Sequence, residues 1–234
     1  PWVDVRSIGA GGGSVAYVDE GGLLRVGPRS AGADPGPASY GRGGNEPALT
    51  DAAFILGMLG EGKLASGIGL DQAAAESAFQ PVAAALNYSI EETARGVMTI
   101  ASATMANTIR EITIDQGIDP RELSLLAFGG AGPLMSTLLA RELDVARIII
   151  PPYAGNFSAW GLLGADLTQA TARTQVLPLS NEGLKQGNQY LQEMFGELES
   201  RQEQIIDAER IREVSIDMRY VRQEHWLTVP MRHE

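Results

Sequence analysis

The sequence predicts an α/β protein, and three observations carry the prediction. An apolar run, Leu123 to Phe128, stops at Gly129-Gly130-Ala131-Gly132-Pro133 and restarts as a helical pattern, Leu134 to Leu143. A second run, Ala146 to Ile150, is continuous and rich in β-branched residues, the pattern of a strand in a parallel sheet. Helical patterns stand before, between and after the two runs, and the order helix, strand, helix, strand, helix is that of α/β layering.

Taken in order, residues 1–50 hold 12 of the 28 glycines, yet Val3-Asp4-Val5 and Val15 to Val18 read as short strands between the glycine clusters. Gly21-Gly22, after Asp19-Glu20, predicts a hairpin turn back through Leu23 to Val26. The run Pro28 to Pro37 predicts a long irregular loop, and long loops in compact domains tend to be functional. Thr50-Asp51 is expected to cap a helix Ala52 to Leu59, and Asp71 one over Ala73 to Leu86. Ser89-Ile90-Glu91-Glu92 is a capping box. Apolar residues then recur at Ile90, Ala94, Val97, Ala101, Met105, Ile109 and Ile112, predicting a helix of about 27 residues, roughly 40 Å long, that stops at Gly117. Pro133 suits the first turn of the helix that follows the glycine turn. Asn156 to Leu163 reads as a short helix. Beyond Asp166 come an expected strand (Thr171 to Leu177), a polar helix (Asn181 to Asp207) and two strands (Arg212 to Tyr220, His225 to Val229). The expected division is 1–165 and 166–234.

Composition narrows the function. The chain has 234 residues, 44% hydrophobic and 20% charged, and no apolar run approaches the roughly 20 residues that a membrane-spanning helix needs, so no membrane partner is expected. A net charge of −11 argues against nucleic acid as a partner, since phosphate binding requires clustered Lys and Arg. Absence of cysteine removes disulfides, thiol nucleophiles and Cys-based zinc sites. With only His225 and His233, a Ser-His-Asp triad or a multi-His metal site is not expected, and any metal would sit on carboxylates. Without a secretory-type leader, the expected location is cytoplasmic; a start at Pro1 suggests a piece of a longer polypeptide.

Two glycine clusters carry the candidate chemistry. A strand that ends at Gly129, Gly130, Ala131 and Gly132 before a helix leaves backbone N–H groups over a surface without side chains, where a flat or anionic ligand can approach; the alternative is a tight turn with no ligand. Gly9-Ala10-Gly11-Gly12-Gly13-Ser14 departs from the dinucleotide fingerprint, ending in Ser and leading into a hairpin. Gly11, Gly12 and Gly13 still permit close approach by a ligand or by another backbone, and Ser14 is a candidate donor to a bound oxygen. Asp34, held between Ala33 and Pro35, suits a metal ligand, a general base or an Asx turn. Arg29 and Arg42 flank it, either to bind an anionic substrate or to pair with it. Asp51 suits either catalysis or a helix N-terminus, where free N–H groups and the dipole favour a carboxylate.

Taken together, Ser7 to Ser14, Arg25 to Pro37, Thr50-Asp51-Ala52 and Phe128 to Leu134 resemble the hydantoinase A/5-oxoprolinase family, over nearly the whole chain. Arg219-Tyr220-Val221 and Gln223 resemble the family's Arg-Tyr-x-Gly-Gln segment, with Arg222 replacing the Gly. Met135 stands where the family usually has His, and Ser39 where it often has Cys. The resemblance implies the second half of an actin-like ATPase (ribonuclease H-like) fold, with Gly129 to Gly132 beside adenosine and two phosphate-binding loops upstream of residue 1.

That resemblance further implies an ATP-dependent hydrolase of cyclic amides, of the N-methylhydantoinase or 5-oxoprolinase type, using ATP and Mg²⁺ to phosphorylate a small carbonyl substrate. The alternatives are the ATPase-type subunit of a ketone carboxylase, and a structural or subunit-docking module without activity of its own. A hydantoinase B-type subunit or domain is the expected partner. Catalytic candidates are Asp34, Arg29 and Asp51; nucleotide candidates are the two glycine clusters with Ser14; no metal ligand is assigned.

Overall fold

Residues 14–30 fold as a hairpin because two short apolar segments, Val15 to Val18 and Leu23 to Val26, flank the Gly21-Gly22 turn. In the computed structural model, which describes residues 6–60, 63–64, 67–202 and 211–231, β1 (Ser14–Val18) pairs antiparallel with β2 (Leu24–Ser30). The Asp19 carboxylate closes the turn, accepting the N–H groups of Gly21 and Leu23 and the guanidinium of Arg25. β2 reaches Ser30, paired with Ser14, so the irregular loop starts later than the expected Pro28. The expected strand at residues 3–5, His233 and the end of the polar helix lie outside the described residues.

Four helices then build the core. α1 is Leu49–Ile55, α2 is Gln72–Leu86, α3 is Ile90–Asp115 and α4 is Gly132–Leu143. Ala48, not Thr50, is the N-cap of α1, so Thr50 and Asp51 lie inside its first turn. Asp71 caps α2, its carboxylate accepting the Ala74 N–H at 3.0 Å. Ser89 and Glu92 cap α3 reciprocally, as the capping box predicts, and α3 spans 26 residues. The apolar stripe of α3 buries Ala94, Val97, Met98 and Ala101 against Leu49 and Ala52 of α1, Phe79 of α2, and Met135 and Leu139 of α4. Many of these contacts are made by alanine, which lets the helix backbones approach closely.

The two predicted core strands are present but short. β3 (Leu125–Leu126) and β4 (Ile148–Ile149) pair in parallel, in register Leu125 with Ile148, with α4 as the crossover. A two-stranded ladder has no flanking strands to cover it, so Ile149 and Ile150 are 44% and 52% exposed instead of buried as the apolar run predicts. Gly129 turns the chain after β3 at φ +83°, a conformation that favours glycine, and its N–H donates to Ala154 at 2.8 Å. α5 (Phe157–Leu163) follows β4.

The chain divides into two compact units, residues 1–165 and 166–234. In the second, α6 (Asn181–Gln202) precedes an antiparallel pair, β5 (Val214–Met218) and β6 (Leu227–Met231). The expected strand Thr171 to Leu177 is not a strand: among the described residues nothing pairs with it, and β propensity without a partner makes no ladder. Among the described residues, no helix is long and apolar enough to cross a membrane.

Candidate functional site

The two glycine clusters, more than a hundred residues apart in sequence, meet in space. A Cβ added to Gly12 would lie 3.8 Å from the Cβ of Ala131 and 2.7 Å from Oγ1 of Thr50, so only glycine permits this approach. On the other side of the turn, a Cβ on Gly13 would lie 2.7 Å from Oγ of Ser30. The hairpin, the start of α1 and the turn before α4 therefore converge on one short piece of backbone.

Carbonyl groups of this turn are held from within the protein. Ser14 N–H donates to Gly11 O at 3.0 Å, Thr50 donates to Gly12 O from both its N–H and its hydroxyl at 2.9 Å each, and Ala31 N–H donates to Gly13 O at 2.8 Å. Among the described residues no acceptor faces the N–H groups of Gly12 or Gly13. A turn whose carbonyls are engaged and whose successive amides are free is an anion-binding arrangement. An open groove of about 410 Å³ runs along the same turn, lined by Arg6, Gly11, Gly13, Ser14 and Ser30 among others. Arg6 brings a positive charge to it and pairs with Asp115 at 3.4 Å.

Ser14 is placed differently from the expected donor to a bound oxygen. Its hydroxyl donates to Gly9 O at 3.3 Å and accepts the Gly11 N–H at 2.9 Å, and the residue is buried. Its hydrogen is directed into the turn, so it shapes the loop.

The second cluster opens α4. Ala131 is the N-cap, and its carbonyl accepts the Met135 N–H at 3.2 Å. Among the described residues the N–H groups of Gly130, Ala131 and Gly132 have no acceptor, and they lie at the positive end of a 12-residue helix. Met135 is buried in the hydrophobic core cluster, on the helix that packs against α3, so no polar group stands there.

The three expected catalytic residues are not brought together. Asp51 is fully buried and accepts three backbone N–H groups, from Ala38 at 3.1 Å, Ser39 at 2.8 Å and Ala48 at 2.8 Å. Its oxygens tie the loop before α1 to the helix, which accounts for a carboxylate at this position. Arg29 holds Glu46 through two contacts of 2.5 and 2.6 Å, not Asp34. Asp34 is exposed in the loop between Gly32 and Gly36 and, among the described residues, has no side-chain partner. Arg29 and Asp34 nonetheless lie on the chain segment that passes the glycine turn, since Ser30, Ala31 and Gly32 neighbour Gly13. Among the described residues no three acidic or histidine side chains converge on a metal position.

Thr50 is the contributor that sequence reasoning missed as part of this site. Its position beside Asp51 reads as a cap, and its reach back to Gly12 is invisible until α1 docks on the hairpin.

What these features describe is a mixed α/β protein in which two glycine turns meet, with an open groove along the first of them. Comparison with known proteins places it further: residues 1–171 match the model of the hydantoinase/oxoprolinase family, and the chain belongs to that family. It is 38% identical over 238 residues to the caprolactamase subunit alpha of Pseudomonas jessenii, covering 99% of this chain and 34% of that one. It is 39% identical over 158 residues to the acetophenone carboxylase gamma subunit of Aromatoleum aromaticum, covering 66% and 21%. The crystal structure of the ATP-dependent caprolactamase from Pseudomonas jessenii superposes with a TM-score of 0.70 at 35% identity, over 95% of this chain and 33% of that one. The chain thus spans about a third of the length of the caprolactamase it matches.

Proposed function

We propose that this chain forms the nucleotide-facing part of an ATP-dependent enzyme that activates the carbonyl of a small cyclic amide for hydrolysis, on the second half of an actin-like ATPase fold. The observation that supports it best is the meeting of the two glycine turns at Gly12 and Ala131, each turn carrying backbone N–H groups without an acceptor among the described residues. Free backbone N–H groups fit the phosphates of a nucleotide, and glycine at Gly129 and Gly130 leaves room for a flat adenosine. Bound there, ATP supplies the phosphoryl group that turns a carbonyl oxygen into a leaving group. Phosphoryl transfer depends on positioning and charge neutralisation, work suited to backbone amides and arginine.

In this reading Gly12 and Gly13 take a phosphate, Gly129 to Gly132 take the adenosine, and Ser14 and Asp51 keep the surrounding loops in shape. Asp34 is the exposed acid available as general base or Mg²⁺ contact, and Arg29 becomes an anion contact when it leaves Glu46. Mg²⁺ arrives with the nucleotide. A hydantoinase B-type subunit completes the substrate site, a reading supported by relatives that are named as subunits.

The likeness to a carboxylase subunit favours a second reading, carboxylation of a ketone activated in the same way. The test is ADP release by the polypeptide that carries this chain, with its partner subunit, against hydantoins, 5-oxoproline, caprolactam and ketones with and without bicarbonate. Release stimulated by a cyclic amide supports hydrolysis; release that requires both a ketone and bicarbonate supports carboxylation. Folded protein that none of them stimulates returns the chain to a structural or subunit-docking role. Gly130→Asp places a carboxylate among the helix-start amides and is expected to weaken ATP binding; unchanged affinity removes the adenosine assignment.

A further inference from the structure

Thr50 makes an unusual pair of contacts for a residue in the first turn of a helix. Its backbone N–H and its hydroxyl both donate to one acceptor, the Gly12 carbonyl, at 2.9 Å each. A trans peptide is planar, with its C=O and N–H pointing opposite ways, so holding Gly12 O toward α1 turns the Gly13 N–H away from α1. The neighbouring bond, Ser14 N–H to Gly11 O, turns the Gly12 N–H by the same logic. A single backbone donor would fix the distance but leave the peptide plane free to rock; a second donor from the same residue removes that freedom.

The position of Thr50 is itself over-determined. It is 8% exposed, lies between the fully buried Leu49 and Asp51, and α1 is tied down by the three amides on the Asp51 carboxylate. Its hydroxyl donates to Gly12 alone among the described residues. The approach is so close that a methyl group on Gly12 would stand 2.7 Å from Oγ1.

We infer that Thr50 is a positioning residue: it aims the Gly12 and Gly13 amides at the phosphate of the bound nucleotide, an inference that rests on the nucleotide reading above. Its effect is confined to the phosphate end, because the helix-start amides at Gly130 to Gly132 are set by β3 and α4.

The test compares ATP and adenosine binding by the complete polypeptide, for wild type, Thr50→Val, Thr50→Ser, Gly12→Ala and Gly130→Asp. Valine keeps the branched shape and removes the donor; serine restores the donor. Thr50→Val is expected to weaken ATP about three- to tenfold, the span of one neutral hydrogen bond, while adenosine affinity stays within about twofold and Thr50→Ser recovers ATP binding. Gly12→Ala attacks the same contact from the other side and is expected to give the same split, which keeps the test alive if Thr50→Val does not fold. Equal weakening of ATP and adenosine, or no weakening of ATP, overturns the inference. If Gly130→Asp weakens ATP and Thr50→Val does not, this inference alone fails; if wild type binds no ATP, the nucleotide reading fails with it.

Discussion

Asp51 shows how one side chain organises a loop. A buried carboxylate is costly to desolvate, and three N–H donors offset that cost by completing its hydrogen bonds. Asp51→Ala leaves those three amides without an acceptor inside the protein, and the expected loss is about 3 kcal/mol or more, read from urea unfolding of the first unit. A loss under 1 kcal/mol would mean that the loop repacks or admits water. Arg29 and Glu46 present the opposite case. Their pair is short, but both side chains are about half exposed, and an exposed ion pair contributes little to stability. Replacing Arg29 is therefore expected to change anion contacts and not the melting temperature.

Among the elements, α3 is the scaffold that carries the site. Its N-terminus depends on the reciprocal bonds of Ser89 and Glu92, and the Glu92 carboxyl is held below its ordinary pKa by the Ser89 hydroxyl and the Ser89 N–H. Ser89→Ala is expected to cost about 1 kcal/mol in thermal or urea unfolding. The Pro120–Glu122 turn that follows α3 gives a pH prediction. Arg121 donates to Asp119 from its guanidinium and its backbone N–H, lowering the Asp119 pKa from 3.8 to about 2. A depressed carboxyl contributes stability above its unfolded pKa and loses it as the pH falls through the folded value. The stability that the Arg121–Asp119 contact contributes is thus expected to be complete at pH 5 and to fall away between about pH 4 and pH 2, and the Asp119 carboxyl to titrate by NMR with a midpoint of about 2. A midpoint near 4 would show that the pair does not form.

How far the elements were legible follows from where their determinants lie. Helices α2 and α3 were readable because their caps and periods are local, as were the hairpin turn at Gly21-Gly22 and the glycine stop before α4. The start of α1 was legible only in part: Asp51 does serve the helix N-terminus by accepting the Ala48 N–H, but it also accepts the amides of Ala38 and Ser39, and Thr50 donates to Gly12, on segments that only folding brings near. Thr171 to Leu177 failed for the converse reason: its residues favour a strand, but a strand exists only where another one accepts its hydrogen bonds.

For the molecule as a whole, the two units predict uneven protection. Among the described residues no backbone N–H from 166 to 179 has a hydrogen-bond partner within the protein, whereas the core amides of α3 do. Hydrogen exchange is expected to be fast across 166–179 and slowest around Val97 to Ala101. Protection of 166–179 in the complete polypeptide would mean that another segment or subunit covers it.

By itself the sequence determined the α/β class, the long capped helix, the absence of cysteine chemistry and the two glycine clusters with the family they signal, because each is written in local pattern or residue type. Only the tertiary structure decided that the clusters face one another, that Thr50 and Asp51 shape the site from beneath, and that Arg29 pairs with Glu46. Those facts depend on contacts between residues far apart in the chain, and packing alone selects which distant partners meet.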